Sequence, residues 1–253
     1  MAEFTKPERI YKYVSLETAI KILETNSLKF AKPSTFNDPF DCDVNLLDFN
    51  FDGGVNPTVL KEIETLKLSY KGKLEAKSKD FWEKGYKAAQ LEKVNRSRIC
   101  CFSLMNDNIL MWSHYADNHA GVCLEFDNLM ENKFVKLFDK KDISEGVIGY
   151  TAKNRINYVA EERRFAFYKL FFCKSEIWEY EKEFRMILLN TKEEFYQFKN
   201  ESLLGIYFGI NTTAEDRNTL IKEANQNNFR TINYYVGEKG RLSIKFTPLR
   251  IAT

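Results

Sequence analysis

Short alternating or apolar runs, interrupted by one long stretch of helical periodicity, set the pattern of this chain. "RIYKYVS" (9–15) alternates as a strand, and Ser15 then caps a helix reaching Asn26 whose apolar Leu16, Ala19, Ile20 and Leu23 share one face. "SLKFAKPSTFNDPFDCD" returns as a strand, breaks at Pro33 and turns where Asn37 and Asp38 precede Pro39. From Pro57 to about Asn95 the period becomes helical, through Leu60, Ile63 and Leu66 and later Phe81, Ala88 and Leu91, with an interruption near Gly72. This reads as an inserted helical hairpin.

Beyond it, "RICCFS" (98–103) is a buried strand by its short apolar run. "NDNILMWSHYADN" is a helix started by Asn106 or Asn108, and "GVCLEFD" is the next strand, which Leu110, Met111 and Trp112 are expected to cover. Further strands are expected at "KFVKLF", "GVIGYT", "EKEFRMILL" and "LLGIYFG", with a helix over Glu161 to Phe172. A helix near Ala214 to Asn227 and the strands "TINYYV" and "LSIKFTPL" close the chain. Many of these strands follow one another with no helix between, which implies an α+β fold with a mixed or mostly antiparallel sheet in a single domain over residues 1–253.

Composition supports a large core: 44% of the 253 residues are hydrophobic and 15% aromatic. No stretch approaches the roughly 20 apolar residues of a membrane helix, and the start "MAEFTKPERIYKY" lacks the apolar centre of a secretory signal, so a cytoplasmic location without a membrane partner is expected. Cys42, Cys100, Cys101, Cys123 and Cys173 are odd in number and form no CxxC pair, which points to buried free thiols. The net charge of +2 hides an asymmetry, since Lys67 to Arg98 carries ten Lys/Arg against four Asp/Glu. A solvated helical pair explains that excess, and so would an acidic partner such as nucleic acid.

Several chemistries lack their motifs. Neither GxGxxG, GxxxxGK[ST] nor GxSxG occurs, and no HExxH surrounds His114 or His119, which are five residues apart, off the spacing for one metal on a helix. Asp48, Asn50, Asp52 and Gly53 match the first half of a calcium loop whose twelfth position is Val59 instead of Glu, so an Asx-rich loop is expected. Asp38, Asp41 and Asp43 cluster in "NDPFDCD", with Asp41 and Asp43 on one face if the segment is a strand, an arrangement that could hold Mg²⁺. Glu181 and Glu183 stand two apart at the entry to an apolar strand and so share a face. A carboxylate so placed beside a cleft can accept a sugar hydroxyl and stabilise a cationic anomeric carbon; an exposed pair matched with Lys182 and Arg185 across strands is the plainer reading.

At "YKYVSLETAIKILETNSLKFAKPSTFNDPF", "CFSLMNDNILMWSHYADNHAGVCLEFD" and "KSEIWEYEKEFRMI" the chain resembles a bacterial family catalogued as domain of unknown function 2971. In element order it is also similar, more distantly, to the ADP-ribosyltransferase superfamily. There a first strand carries a His or Arg, a later strand and helix a Tyr or Ser, and a further strand begins with a catalytic Glu. That resemblance implies NAD as substrate, with Lys12 or Tyr13 anchoring the adenosine ribose, Ser103 and Tyr115 on the second unit, Tyr115 stacking the nicotinamide, Glu183 as catalytic Glu and Glu181 orienting the acceptor. Lys12 departs from the usual His or Arg. The implied activity is ADP-ribose transfer to a nucleic-acid or protein acceptor, or NAD hydrolysis, without a metal, in a toxin or phage-defence setting. The alternatives are a non-enzymatic binding or sensor module of a defence system and an Mg²⁺-dependent nuclease built on the three aspartates.

Overall fold

A computed structural model describes residues 6–69, 78–127, 143–151, 155–229 and 231–250. The alternating start is β1 (Arg9–Val14), and the Ser15 hydroxyl then accepts the Thr18 amide to begin α1 (Leu16–Thr25). Asn26 ends that helix in the left-handed region, φ 48°, which an Asn tolerates, and the chain turns into β2 (Ser27–Lys29). Then follow β3 (Leu47–Asp48), α2 (Pro57–Ser69), α3 (Lys79–Asn95), β4 (Arg98–Ser103), α4 (Ile109–Tyr115) and β5 (Val122–Asp127). The remainder is β6 (Ile143–Val147), β7 (Gly149–Tyr150), β8 (Ile156–Asn157), α5 (Arg163–Phe172), β9 (Cys173–Lys174), β10 (Glu183–Leu188), β11 (Phe195–Gln197), β12 (Leu203–Phe208), α6 (Ala214–Gln226), β13 (Asn233–Lys239) and β14 (Ile244–Pro248). The strand expected at "KFVKLF" and the interruption near Gly72 lie outside the described residues.

Among the described residues, eight strands form the main sheet in the order β14-β13-β12-β5-β1-β4-β10-β6. Every pair is antiparallel except β12 with β13, whose parallel alignment is bridged by α6. The fold is therefore α+β with a mixed sheet. Ala19 and Leu23 of α1 and Leu220 and Ala224 of α6 pack with Ile10, Val14, Leu124 and Phe126 on one face. Over the other face, Trp112 of α4 gathers Tyr13, Cys123 and Tyr207, while Leu170 and Phe171 of α5 pack near Ile99 and Ile187. Among the described residues, no helix is long and apolar enough to cross a membrane.

Three local expectations change. The helical hairpin buries Val59, Ile63, Trp82 and Val94, while Leu60, Leu66, Phe81 and Leu91 stay exposed. The buried stripe is offset because Trp82 and Tyr86 meet Val159 and Tyr158 from the loop before α5, a contact that no periodicity within the hairpin encodes. Leu110 is 45% exposed, since a helix of only seven residues turns Met111 and Trp112 to the sheet and leaves Leu110 outward. "GVIGYT" is split at Ile148, whose amide bonds the Glu183 carbonyl, so β6 pairs with β10 while β7 pairs with β9.

Candidate functional site

The main sheet opens between β1 and β4. These strands register only at Tyr11–Ser103, and Lys12 sends its ammonium to the Cys101 carbonyl at 2.9 Å, 5.2 Å from the Phe102 ring centroid. An open-mouthed cavity of about 180 Å³ lies here, smaller than the roughly 300–1,000 Å³ of sites that enclose a whole drug-sized ligand. Lys12, Tyr13, Ser103, Tyr115, Glu181 and Glu183 all line it, so residues from β1, β4, α4 and the entry to β10 face one space. The Tyr13 hydroxyl donates to the Met105 carbonyl at 2.8 Å, and the Ser103 hydroxyl donates to the Glu181 carbonyl at 2.7 Å while accepting the Met105 amide. Those two hydroxyls are thus held by main-chain groups of Met105 and Glu181.

Glu181 and Glu183 do meet, although strand alternation is not the cause. Glu181 ends a 3-10 turn (Glu176–Glu181), Lys182 follows in the left-handed region with φ 43°, and Glu183 begins β10. Nor is the pair exposed: the two residues are 4% and 3% accessible, and Lys182 pairs with Glu179 instead. Arg185, fully buried and two residues along the same strand, gives Glu183 a two-pronged contact, Nε to Oε1 at 2.5 Å and a terminal nitrogen to Oε2 at 3.0 Å. The rest of its guanidinium grips both oxygens of Asp41 and the Phe171 carbonyl. Lys174 from β9 reaches Glu181 at 2.6 Å, Glu183 at 3.4 Å and Asp41 at 3.6 Å. Tyr115 donates its hydroxyl to Glu181 at 2.6 Å and accepts from Asn37 at 3.1 Å.

These contacts separate the two carboxyls. Burial alone would raise Glu183, but the charge and hydrogen bonds of Arg185, with Lys174, outweigh it and hold the group down at about 2. Burial raises Glu181, and the neighbouring Glu183 charge adds to it against the opposing pull of Lys174. Burial would lower Lys174, yet Glu183, Glu181 and Asp41 together hold its ammonium charged. Glu183 therefore contributes stability that is present above its ordinary 4.5 and is lost as pH falls toward about 2. Glu181 acts in the opposite sense, binding its proton more tightly when folded, so stability rises as pH falls from neutral toward about 4.5. The urea midpoint is expected to climb modestly from neutral pH to about pH 5 and then fall steeply below about 4.5; a flat profile in wild type would contradict these assignments.

The aspartate cluster does not form a metal site. Its segment is a turn with Cys42 at φ 55°, so its carboxylates diverge: Asp38 accepts the Phe40 amide, Asp41 binds Arg185, and Asp43 accepts the Asn45 amide. Among the described residues, no group of three or more His, Cys, Asp or Glu is placed to hold a metal ion. Asp48, Asn50 and Asp52 form an Asx-rich loop, with Asp52 also bound to Lys79. His119 lies parallel to the Trp112 ring and shares a hydrogen bond with Ser113, while His114 is exposed beside Tyr180. All five cysteines are free; four are buried and Cys101 is partly exposed at the cavity.

Lys174 and Asn37 are not site residues that the sequence points to, and Asp41, which the sequence offers only as one of three aspartates that could hold Mg²⁺, pairs with Arg185. "EKEFR" does place Arg185 two positions after Glu183, the spacing that puts them on one face of a strand, and this was the available signal. Nothing local to "FFCK" marks Lys174.

Residues 111–186 match the model of a family described as "Protein of unknown function (DUF2971)". The DUF2971 match runs from α4 into β10, under a third of the chain, and includes Tyr115, Lys174, Glu181, Glu183 and Arg185. It supports the family resemblance read from the sequence and carries no activity with it. No curated protein and no solved structure matches the chain.

Proposed function

We propose that this cavity binds NAD⁺, breaks its nicotinamide N-glycosidic bond and passes ADP-ribose to a macromolecular acceptor, nucleic acid or protein, or to water. The convergence of Lys12, Tyr115 and the Glu181/Glu183 pair on one cavity supports this reading. Formal charges in the cluster are Asp41, Glu181 and Glu183 against Lys174 and Arg185, a surplus of one negative charge. Such a site favours a carbon that becomes cationic as its leaving group departs. The Tyr115 ring would stack on the nicotinamide, and Lys12, with one N–H on the Cys101 carbonyl, would turn its others to the adenosine half against the wall formed by Tyr13 and Ser103. Acting on an acceptor vital to the cell or to an invading phage, such transfer would serve as a toxin or a phage defence.

A binding module that docks an acidic partner on the lysine-rich hairpin has less support. Lys79 and Lys84 are paired with Asp52 and Asp80, and Arg98 is buried. Incubation with NAD⁺ plus RNA, DNA and protein acceptors is expected to release nicotinamide. Tyr115→Ala should slow that release about tenfold or more, the rate equivalent of one stacking or hydrogen-bond contact. No release by the wild-type protein under any of these conditions would reject the reading.

A further inference from the structure

We infer that Glu181, and not Glu183, is the carboxylate that touches the substrate, while Glu183 serves as the buried counter-ion of Arg185. The chemistry assigned to Glu181 rests on the NAD⁺ reading above; the division of labour between the two residues rests on their contacts. A carboxylate offers about four acceptor positions, two on each oxygen. On Glu183, Oε1 holds Arg185 Nε, and Oε2 holds both an Arg185 terminal nitrogen and Lys174. Three of its four positions are thus filled by cations. Among the described residues, Glu181 accepts one hydrogen bond on each oxygen, from Tyr115 on Oε1 and from Lys174 on Oε2, so one position on each remains for a ligand hydroxyl.

Charge divides them in the same way. Glu183 and Asp41 each face the fork of Arg185 and have Lys174 as a second cation, whereas among the described residues Glu181 has Lys174 alone, shared three ways. The surplus negative charge of the cluster therefore rests on Glu181. Its position is also set from both sides, because the Ser103 hydroxyl holds the Glu181 carbonyl at 2.7 Å and the Leu104 amide holds the Lys182 carbonyl at 2.8 Å. The ring expected to stack on the leaving group is the one whose hydroxyl meets Glu181. The opposite displacement of the two carboxyls, Glu181 up and Glu183 down, agrees with this assignment.

In the reaction so assigned, the bonding pair of the ribose C1′–N bond leaves with the nicotinamide nitrogen, which becomes neutral. Glu181 accepts the ribose 2′-hydroxyl and faces the positive charge at C1′. The acceptor oxygen or nitrogen donates a lone pair to C1′ and gives up its proton to water.

The test compares wild type, Glu181→Gln and Glu183→Gln by thermal unfolding and by nicotinamide release from NAD⁺ per folded molecule. Glu181→Gln is expected to keep its unfolding midpoint within a few degrees and to lose ~100-fold or more in kcat with little change in KM, as for loss of one electrostatic contact made in the transition state. Glu183→Gln is expected to lower the midpoint more than Glu181→Gln does, with a loss of turnover at least tenfold smaller. Should it not fold, Glu183→Gln combined with Arg185→Gln removes both charges together and takes its place. Turnover in Glu181→Gln equal to wild type, or an equal loss in the two single variants, overturns the assignment. If wild type releases no nicotinamide, the NAD⁺ reading fails by itself, and unfolding still decides the division of labour: a midpoint lowered as much by Glu181→Gln as by Glu183→Gln overturns it.

Discussion

Arg185→Met is expected to cost roughly 3–5 kcal/mol of folding stability, read as a lower urea midpoint with an unchanged slope. The guanidinium is fully buried and spends its donors on Glu183, Asp41 and the Phe171 carbonyl, which joins β10, the turn after Pro39 and the end of α5. Without it, three carboxylates share Lys174 and the formal surplus grows from one negative charge to two. Glu183 then loses what holds it down, and burial, which raises it, prevails. A carboxyl raised in the folded state makes stability greater at low pH, so the deficit of Arg185→Met relative to wild type should be smaller near pH 5 than near pH 8, by the sign of proton linkage. Pairing Arg185→Met with Glu183→Met should recover part of the loss, because an apolar pair of similar volume leaves fewer charges without a partner. A single variant as stable as wild type would show that the cluster is not the clasp described.

Trp112→Ala is expected to cost about 3–5 kcal/mol, the range for truncating a large buried aromatic. Its ring has no exposed surface and stands edge-on to Tyr13 at 5.2 Å, parallel to His119 and tilted against Phe246 at 5.7 Å. Its Nε1 donates to the Asn106 carbonyl at 2.8 Å, closing the loop that leads into α4. Three residues further on is Tyr115, so the cavity left by the indole removes the support of the helix that holds the Tyr115 hydroxyl on Glu181. Denaturant unfolding gives the stability change. Trp112→Phe separates the two contributions: it keeps most of the packing and leaves the Asn106 carbonyl without its donor, for a loss of about 1–3 kcal/mol. Equal losses in the two variants would place the energy in the hydrogen bond and not in the ring.

Elements with a strong local signal were legible in the chain. Ser15 caps α1, Asn108 caps α4, and the apolar runs at Arg98–Ser103 and Glu183–Leu188 are neighbouring strands. Where two faces of a helix are both partly apolar, the periodicity cannot choose between them. The α2–α3 hairpin buries Trp82 and leaves Phe81 out because Val159 and Tyr158 happen to stand on that side. Leu110 and Met111 differ in the same way, since α4 makes only two turns and one of the neighbouring positions must face out.

At the site the division is sharper. The sequence by itself placed in recognisable elements the side chains proposed here to carry the chemistry: Glu181 and Glu183 at the entry to a strand, Tyr115 on a helix and Lys12 on a strand. It also determined that Glu183 and Arg185 share a face, since the side-chain period of a strand is two. Only the tertiary structure decided that Asp41, 144 residues from Arg185, is its second carboxylate and that Lys174 stands between all three acids. It also turned an apparent surface pair of glutamates into a buried cluster with one surplus charge. Burial and long-range ion pairing depend on which elements the fold brings together, and no local spacing records that.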